Sequence, residues 1–199
     1  MNNKPMWYKF CRAVLRFLYR LLFRFSAKGI EHVPSTGGVV LCSNHISLLD
    51  PPALGILLER KVCFMAKQEL FDIPVFGTII KGLGAFPVKR GGVGKETIRT
   101  AFKLLQDGGI MGIFPEGTRN TSGDVAAKKG AAMIALKSGA AVVPVAVCGK
   151  YQLFRKTYVV YGPPIDMSDL LERKEHNMLE QATERIMEHI HALMKNEAL

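Results

Sequence analysis

His45 and Asp50 stand five residues apart in the run SNHISLLDPP, where an apolar strand is expected to end at Ser43 and a helix to begin just after Asp50, with Pro51 in the favoured first helical position. On one continuous helix that spacing would misalign the two side chains. Across a strand-to-helix turn the chain can fold the carboxylate back onto the imidazole. A carboxylate held on one ring nitrogen fixes the tautomer and stabilises the imidazolium, which leaves the other nitrogen to take a proton from a hydroxyl. That is base catalysis without a protein nucleophile. From spacing alone, a turn-closing histidine and a helix-capping aspartate explain the same two residues. Cys42 beside them permits a thiol nucleophile, but within an apolar strand it reads as core. No second histidine or cysteine pair stands at ligand spacing, so no metal site is expected.

Three further segments carry chemistry-bearing residues. In FPEGTRN, residues 114 to 120, Gly117 allows close backbone approach, Thr118 offers a hydroxyl, and Arg119 can grip a phosphate through two parallel hydrogen bonds. Glu116 can orient Arg119 or accept a bond from a substrate hydroxyl; a structural ion pair is the alternative. Lys128, Lys129 and the amides at Gly130 follow at once and could add to an anion site, or form a solvated loop. Between Ala66 and Arg90, the residues Lys67, Glu69, Gly77, Gly84 and Arg90 alternate with apolar ones, a pattern that suits one wall of a lipid groove with a cationic end. In VVPVAV, residues 142 to 147, Pro144 suggests an edge strand or a bulge.

Short apolar runs at 38–43, 62–66, 85–88, 110–114, 141–147 and 157–162 must position these segments, with helical stretches expected near 51–59, 74–82, 95–107 and 130–138. Continuous apolar strands separated by helices indicate a single α/β domain whose central, mostly parallel or mixed β-sheet is covered on both faces. A chain of 199 residues that is 48% hydrophobic can bury one such core. From Ser168 to about Lys195 one long amphipathic helix is expected, with Ser168 as its cap. The organisation is then residues 1–30 as an interfacial helix, 31–165 as the catalytic domain and 166–199 as a C-terminal helix packed on it.

The net charge of +10 is concentrated at the start: residues 1–30 hold seven Lys or Arg and no acid, while the rest of the chain has 20 basic against 17 acidic residues. On a helical wheel Lys9, Arg12, Arg16, Arg20 and Arg24 occupy one arc of about 120°. Trp7, Phe10, Val14, Phe17, Leu18, Leu21, Leu22 and Phe25 lie opposite, and Phe23 falls among the arginines. One-signed charge beside an aromatic and leucine face suits a helix lying in an anionic membrane surface. A helix packed on its own domain with solvated arginines is the alternative. The arginines interrupt any spanning segment, and no cleavage site of a signal peptide follows. Nucleic-acid binding is disfavoured because no such motif accompanies the charge. Four well-separated cysteines indicate reduced thiols and no disulfide framework.

In this order and spacing, the segments resemble the glycerolipid acyltransferase family typified by the 1-acyl-sn-glycerol-3-phosphate acyltransferases. Its first motif, Asn-His-x4-Asp, corresponds to Asn44, His45 and Asp50, and its second to Glu69, Leu70, Phe71, Pro74, Gly77, Gly84 and Arg90. The third, Phe-Pro-Glu-Gly-Thr-Arg-Ser, is matched through Arg119 and departs only at Asn120; a Val-Pro-Val strand at 143–145 matches the fourth. The resemblance covers roughly residues 30–165. It implies the fold of that family and transfer of a fatty acyl group from acyl-CoA or acyl carrier protein to the sn-2 hydroxyl of lysophosphatidic acid, giving phosphatidic acid. His45 and Asp50 would be catalytic. Arg90, Glu116, Gly117, Thr118 and Arg119 would hold the glycerol phosphate, with Lys67, Lys128 and Gly130 as additional anion or donor contacts. No metal or bound cofactor is implied, and the setting is the cytoplasmic face of the cell membrane, peripheral or monotopic, reached through residues 1–26. Another lysolipid acceptor, or a non-catalytic lipid-binding protein, is the alternative.

Overall fold

Strand residues alternate between two cores, as a period of two requires. In the computed structural model, which describes residues 4–88, 94–118, 127, 129–173 and 175–196, Val39 and Leu41 face one core while Val40 and Cys42 face the other. Seven strands form one sheet among these residues: β1 (Ser26–Lys28), β2 (Val39–Ser43), β3 (Val62–Lys67), β4 (Ala85–Val88), β5 (Ile110–Ile113), β6 (Ala141–Gly149) and β7 (Thr157–Tyr161). Their order is β1-β7-β6-β2-β5-β3-β4. The block β6-β2-β5-β3-β4 is parallel throughout, whereas β7 runs antiparallel to β6 and pairs in parallel with β1. The fold is thus the expected α/β domain with a mixed sheet.

The helices are α1 (Lys4–Phe23), α2 (Asp50–Ala53), α3 (Phe76–Gly82), α4 (Lys95–Gln106), α5 (Lys129–Ser138), α6 (Ser168–Arg173) and α7 (Met178–Asn196). Buried residues of α4, α5 and α7 meet Val40, Met111 and Val142 on one face of the sheet. On the other, Tyr19, Phe23 and Phe25 join Ala53, Leu54, Val143 and Val159.

Several elements differ from the sequence reading. The helix expected at 51–59 is a single turn starting at Asp50, after which the backbone forms successive turns, so Pro51 is the second helical residue. β1 carries no apolar run that would announce it. The C-terminal helix is two helices, and at its start the Ser168 N–H donates to Asp166 Oδ1 at 2.9 Å, so the capping carboxylate comes from Asp166. Pro144 is not on an edge strand, because β6 lies between β2 and β7. It occupies the gap in the antiparallel ladder between the Val145–Tyr161 pair and the Val142–Ile165 bridge, where the Gly162 N–H donates to the proline's own carbonyl.

The largest correction concerns α1. Part of its basic face turns toward the domain: Arg16 Nε and Nη2 donate to the Ile56 carbonyl at 3.0 and 2.8 Å, and Arg12 Nη1 to the carbonyls of Leu58 and Glu59 at 2.6 and 2.9 Å. These oxygens belong to the turns after α2, and a guanidinium supplies several donors in a fixed fork. Phe23 is buried for the same reason, lying on the docking face. Phe25 is buried too, not turned outward as the wheel indicated, because the helix ends at Phe23 and Arg24, with φ of 44°, redirects the chain. The 1–30 span therefore supplies core residues and a strand of the sheet.

Replacing Arg16 by alanine should remove both bonds to Ile56 and destabilise the protein by about 2 kcal/mol. In a thermal melt this reads as a Tm lower by roughly 4–8 °C.

Candidate active site

β2 and β5 are neighbours, yet their connections leave in opposite directions. The chain from β2 passes through α2 to β3, with Ala53 and Leu54 in one core, while that from β5 passes through α5 to β6 on the opposite face. Such a divergence opens a crevice at the carboxyl ends of the strands. Asn44, His45 and the following turn emerge from β2 there, and Phe114, Glu116 and Gly117 from β5.

Asn44 anchors the first turn. Its amide nitrogen donates to the Val147 carbonyl at 3.1 Å, and its Oδ1 accepts the Val147 N–H at 2.8 Å, so the side chain continues the pairing of β2 with β6. The backbone is then free to turn at His45. Asp50, which is fully buried, turns its Oδ2 back into the turn and accepts three donors: the N–H groups of Ile46 and Ser47 at 2.7 Å each, and Nδ1 of His45 at 2.8 Å. The aspartate is therefore both a clamp on the turn and the partner of the imidazole. As a cap for its own helix it makes no side-chain bond, since the cap position is Leu49 and carries none.

With the carboxylate on Nδ1, the proton of a neutral ring resides there and Nε2 presents its lone pair. Nε2 has no hydrogen bond among the described residues, and the His45 side chain is 16% exposed. An aromatic stack fixes the plane of the ring. Phe114 lies against His45 at a centroid distance of 4.0 Å and 18° between planes, and Phe64 backs Phe114 at 6.1 Å and 17°. Gly112 permits this arrangement, because a Cβ there would stand 2.0 Å from the Phe64 ring. The apolar pattern of β3 and β5 marked Phe64 and Phe114 as core and gave no sign of this supporting role.

Glu116 is buried and its Oε2 accepts the His45 N–H at 3.1 Å. It thus ties the β5 turn to the β2 turn, a partner the sequence reading did not foresee; this is one of its interactions and not all of them. Gly117 follows in a left-handed conformation, φ 67°, and its N–H closes a turn on the Phe114 carbonyl, which accounts for glycine there. Thr118 is exposed at the mouth. Lys67 is exposed at the end of β3, and Gly130 is the second residue of α5. None of Lys67, Thr118 and Gly130 bonds to His45 or Asp50. Lys129 pairs with Glu180 of α7. Arg90, Arg119 and Lys128 lie outside the described residues.

Cys42 is excluded as a nucleophile by its setting: it is fully buried, and burial pushes its thiol up to about 12. All four cysteines are free. Among the described residues no group of three His, Cys, Asp or Glu side chains could hold a metal ion.

The geometry can therefore accept a proton at Nε2 and stabilise the resulting imidazolium through a buried carboxylate. The profile of the acyltransferase family matches residues 24–148. The chain is 35% identical to a 1-acyl-sn-glycerol-3-phosphate acyltransferase of Bacillus subtilis (strain 168), over 94% of this chain and 96% of that one. With another protein of that name, from Borreliella burgdorferi, identity is 28% over 83% of this chain and 71% of the relative. The crystal structure of the 1-acyl-sn-glycerophosphate acyltransferase PlsC from Thermotoga maritima superposes with a TM-score of 0.70 at 26% identity, covering 96% of this chain and 79% of that one.

Nitrogen-15 NMR of histidine-labelled protein at alkaline pH should find the His45 ring protonated on Nδ1. In Asp50→Asn the amide oxygen must take the place of Oδ2 to accept the Ile46 and Ser47 N–H groups, so the proton should stay on Nδ1. A wild-type ring already protonated on Nε2 would contradict the arrangement.

Proposed function

The chain belongs to the acyltransferase family, and from that footing we propose that it transfers a fatty acyl group from acyl-CoA or acyl carrier protein to the sn-2 hydroxyl of 1-acyl-sn-glycerol-3-phosphate, forming phosphatidic acid. The observation that carries this reading is the buried Asp50 carboxylate on Nδ1 of His45, with Nε2 unengaged at the crevice between β2 and β5. Relatives whose names state this activity align along nearly the whole chain, which supports the choice of acceptor.

Nε2 of His45 takes the proton of the acceptor hydroxyl as its oxygen forms a bond to the thioester carbonyl carbon. The carbonyl electrons move onto an oxyanion, which nearby amides or a cation stabilise. As the oxyanion collapses the C–S bond breaks, and the imidazolium returns its proton to the departing thiolate. No acyl-enzyme forms. Asp50 orients the ring throughout, and holding hydroxyl and thioester together contributes much of the rate. The glycerol phosphate would be held by Arg90, Glu116, Gly117, Thr118 and Arg119, with Lys67, Lys128 and Gly130 as further contacts for phosphate or donor. The acyl donor is a substrate, and the chemistry calls for no separate cofactor.

In an assay with mixed micelles and both donors, His45→Ala should lower kcat about 10³-fold. Arg119→Ala should raise the KM for the lysolipid about tenfold while leaving the donor's nearly unchanged, as loss of one phosphate grip predicts. A panel of lysolipid acceptors offered in the same assay tests the head group.

The reading also sets the enzyme on an anionic membrane surface, as a peripheral or monotopic protein of the cytoplasmic face. No helix among the described residues is long and apolar enough to cross a membrane. In support, the face of α1 away from the domain exposes Trp7, Phe10, Val14, Phe17, Leu18 and Leu21. Around the carboxyl end of the sheet, Leu48 next to the His45 turn and the pair Leu153–Phe154 are also exposed, and the Phe154 N–H bonds to the Leu22 carbonyl of α1. Exposed Arg20, Arg24, Lys150, Arg155 and Lys156 flank these apolar residues. Such a surface would bring His45 to lipid head groups without a spanning helix.

Phe10 and Phe17 are 61% and 65% exposed, so changing both to serine should spare the fold. Sedimentation with vesicles containing phosphatidylglycerol should fall by at least about tenfold in that variant, given the apolar area each ring would bury. Undiminished binding would assign the membrane contact to another surface.

A further inference from the structure

Among the described residues, two buried side-chain polar atoms lack a hydrogen-bond partner of normal geometry: Asp50 Oδ1 and the hydroxyl of Tyr151. Buried polar groups are nearly always satisfied, so a pair of orphans in one place calls for a reason. All three donors to Asp50 fall on Oδ2, which leaves the second carboxylate oxygen bare within a fully buried group. Tyr151 leaves the end of β6 on the same edge of the sheet, two residues after Gly149, and its ring is held edge-on by Tyr19 at 6.4 Å and by Phe23 at 5.4 Å. Tyr19 cannot serve Oδ1, since its own hydroxyl is committed to the Leu49 carbonyl at 2.8 Å. Tyr151 has no such commitment. Burial, and then the charge and acceptor oxygen of Asp50, hold the phenol proton on, so the hydroxyl is a donor facing a carboxylate.

Resting on the acyltransfer reading of His45 and Asp50, we propose that Tyr151 is a positioning residue for the reaction, its hydroxyl donating to Asp50 Oδ1 when His45 takes up the acceptor proton. With Oδ2 alone tied, the carboxylate can pivot about that oxygen; a donor on Oδ1 locks it in the plane of the imidazole. The phenol also disperses carboxylate charge, which moderates how tightly Asp50 holds the imidazolium. Without it the imidazolium is overstabilised and poorly aligned, so the ring returns its proton less readily. The groups facing the pair are Tyr19 from α1, Glu116 from the β5 turn and Tyr151 from the β6 turn. The role also links α1 to the reaction, because Tyr19 and Phe23 form the seat of Tyr151.

Tyr151→Phe keeps the ring and removes the donor. In the micelle assay kcat should fall about tenfold, the scale of one hydrogen bond to a charged group, with the KM of both substrates within about twofold. The acid limb of the kcat pH profile should move to higher pH, whereas in Tyr19→Phe, which loses only its bond to Leu49, that limb should stay in place. An unchanged kcat with an unmoved limb in Tyr151→Phe overturns the proposal. Should that variant not fold, 2,3-difluorotyrosine at 151, a stronger donor of nearly the same size, should move the limb to lower pH; an unmoved limb again overturns it. If wild-type protein transfers no acyl group, the reading of the reaction fails instead. The His45 ring nitrogen shifts then test the pair alone: Tyr151→Phe should alter them, and identical shifts in both proteins overturn the proposal.

Discussion

A fully buried carboxylate constrains the whole carboxyl edge of the sheet. Moving the Asp50 charge out of water is costly unless hydrogen bonds replace its hydration, and the chain meets that demand locally. Ile46 and Ser47 can aim their N–H groups at Oδ2 only if the backbone turns sharply after Asn44, and that turn is what brings the His45 ring onto the same oxygen. Asn44, paired with Val147, and Glu116, paired with the His45 N–H, brace the turn from β6 and β5. The geometry that can move a proton is thereby also the geometry that satisfies the buried charge.

Sheet topology supplies the room. Because the connections from β2 and β5 pass to opposite faces, residues from two turns distant in sequence converge at the crevice between their ends. The aromatic stack of Phe64, Phe114 and His45 belongs to the same edge and depends on the missing side chain of Gly112. A bulky residue at 112 would displace Phe64 and loosen the support behind the imidazole.

α1 joins the membrane and catalytic halves of the proposed function. One helix cannot present every apolar residue to lipid and also cover a sheet, so its surface is divided. Tyr19 and Phe23 complete a core, Arg12 and Arg16 bind carbonyls of the turns after α2, and the aromatic and leucine stripe remains outside. Its basic face is thus partly internal, with Arg20 and Arg24 still exposed. A wheel projection separates polar from apolar residues but does not reveal which side meets the protein, since an arginine satisfies a lipid phosphate and a backbone carbonyl with the same donors.

Sequence alone determined the class of fold, because apolar runs of strand length separated by helical segments admit few arrangements, and six of the seven strands follow from them. It also pointed to the pairing of His45 with Asp50, which is local: the bonds of Asp50 to His45, Ile46 and Ser47 close within one turn and span no more than five residues. The remaining features required the tertiary structure. β1 is too short to carry a pattern and exists because β7 offers an edge to pair with. The contact of Glu116 with His45, 71 residues away, depends on which strands lie side by side, as does the inward turn of Arg12 and Arg16. Patterns along a chain report what each segment must bury; only the packed sheet decides which distant turns share an edge and which polar groups are left to satisfy one another.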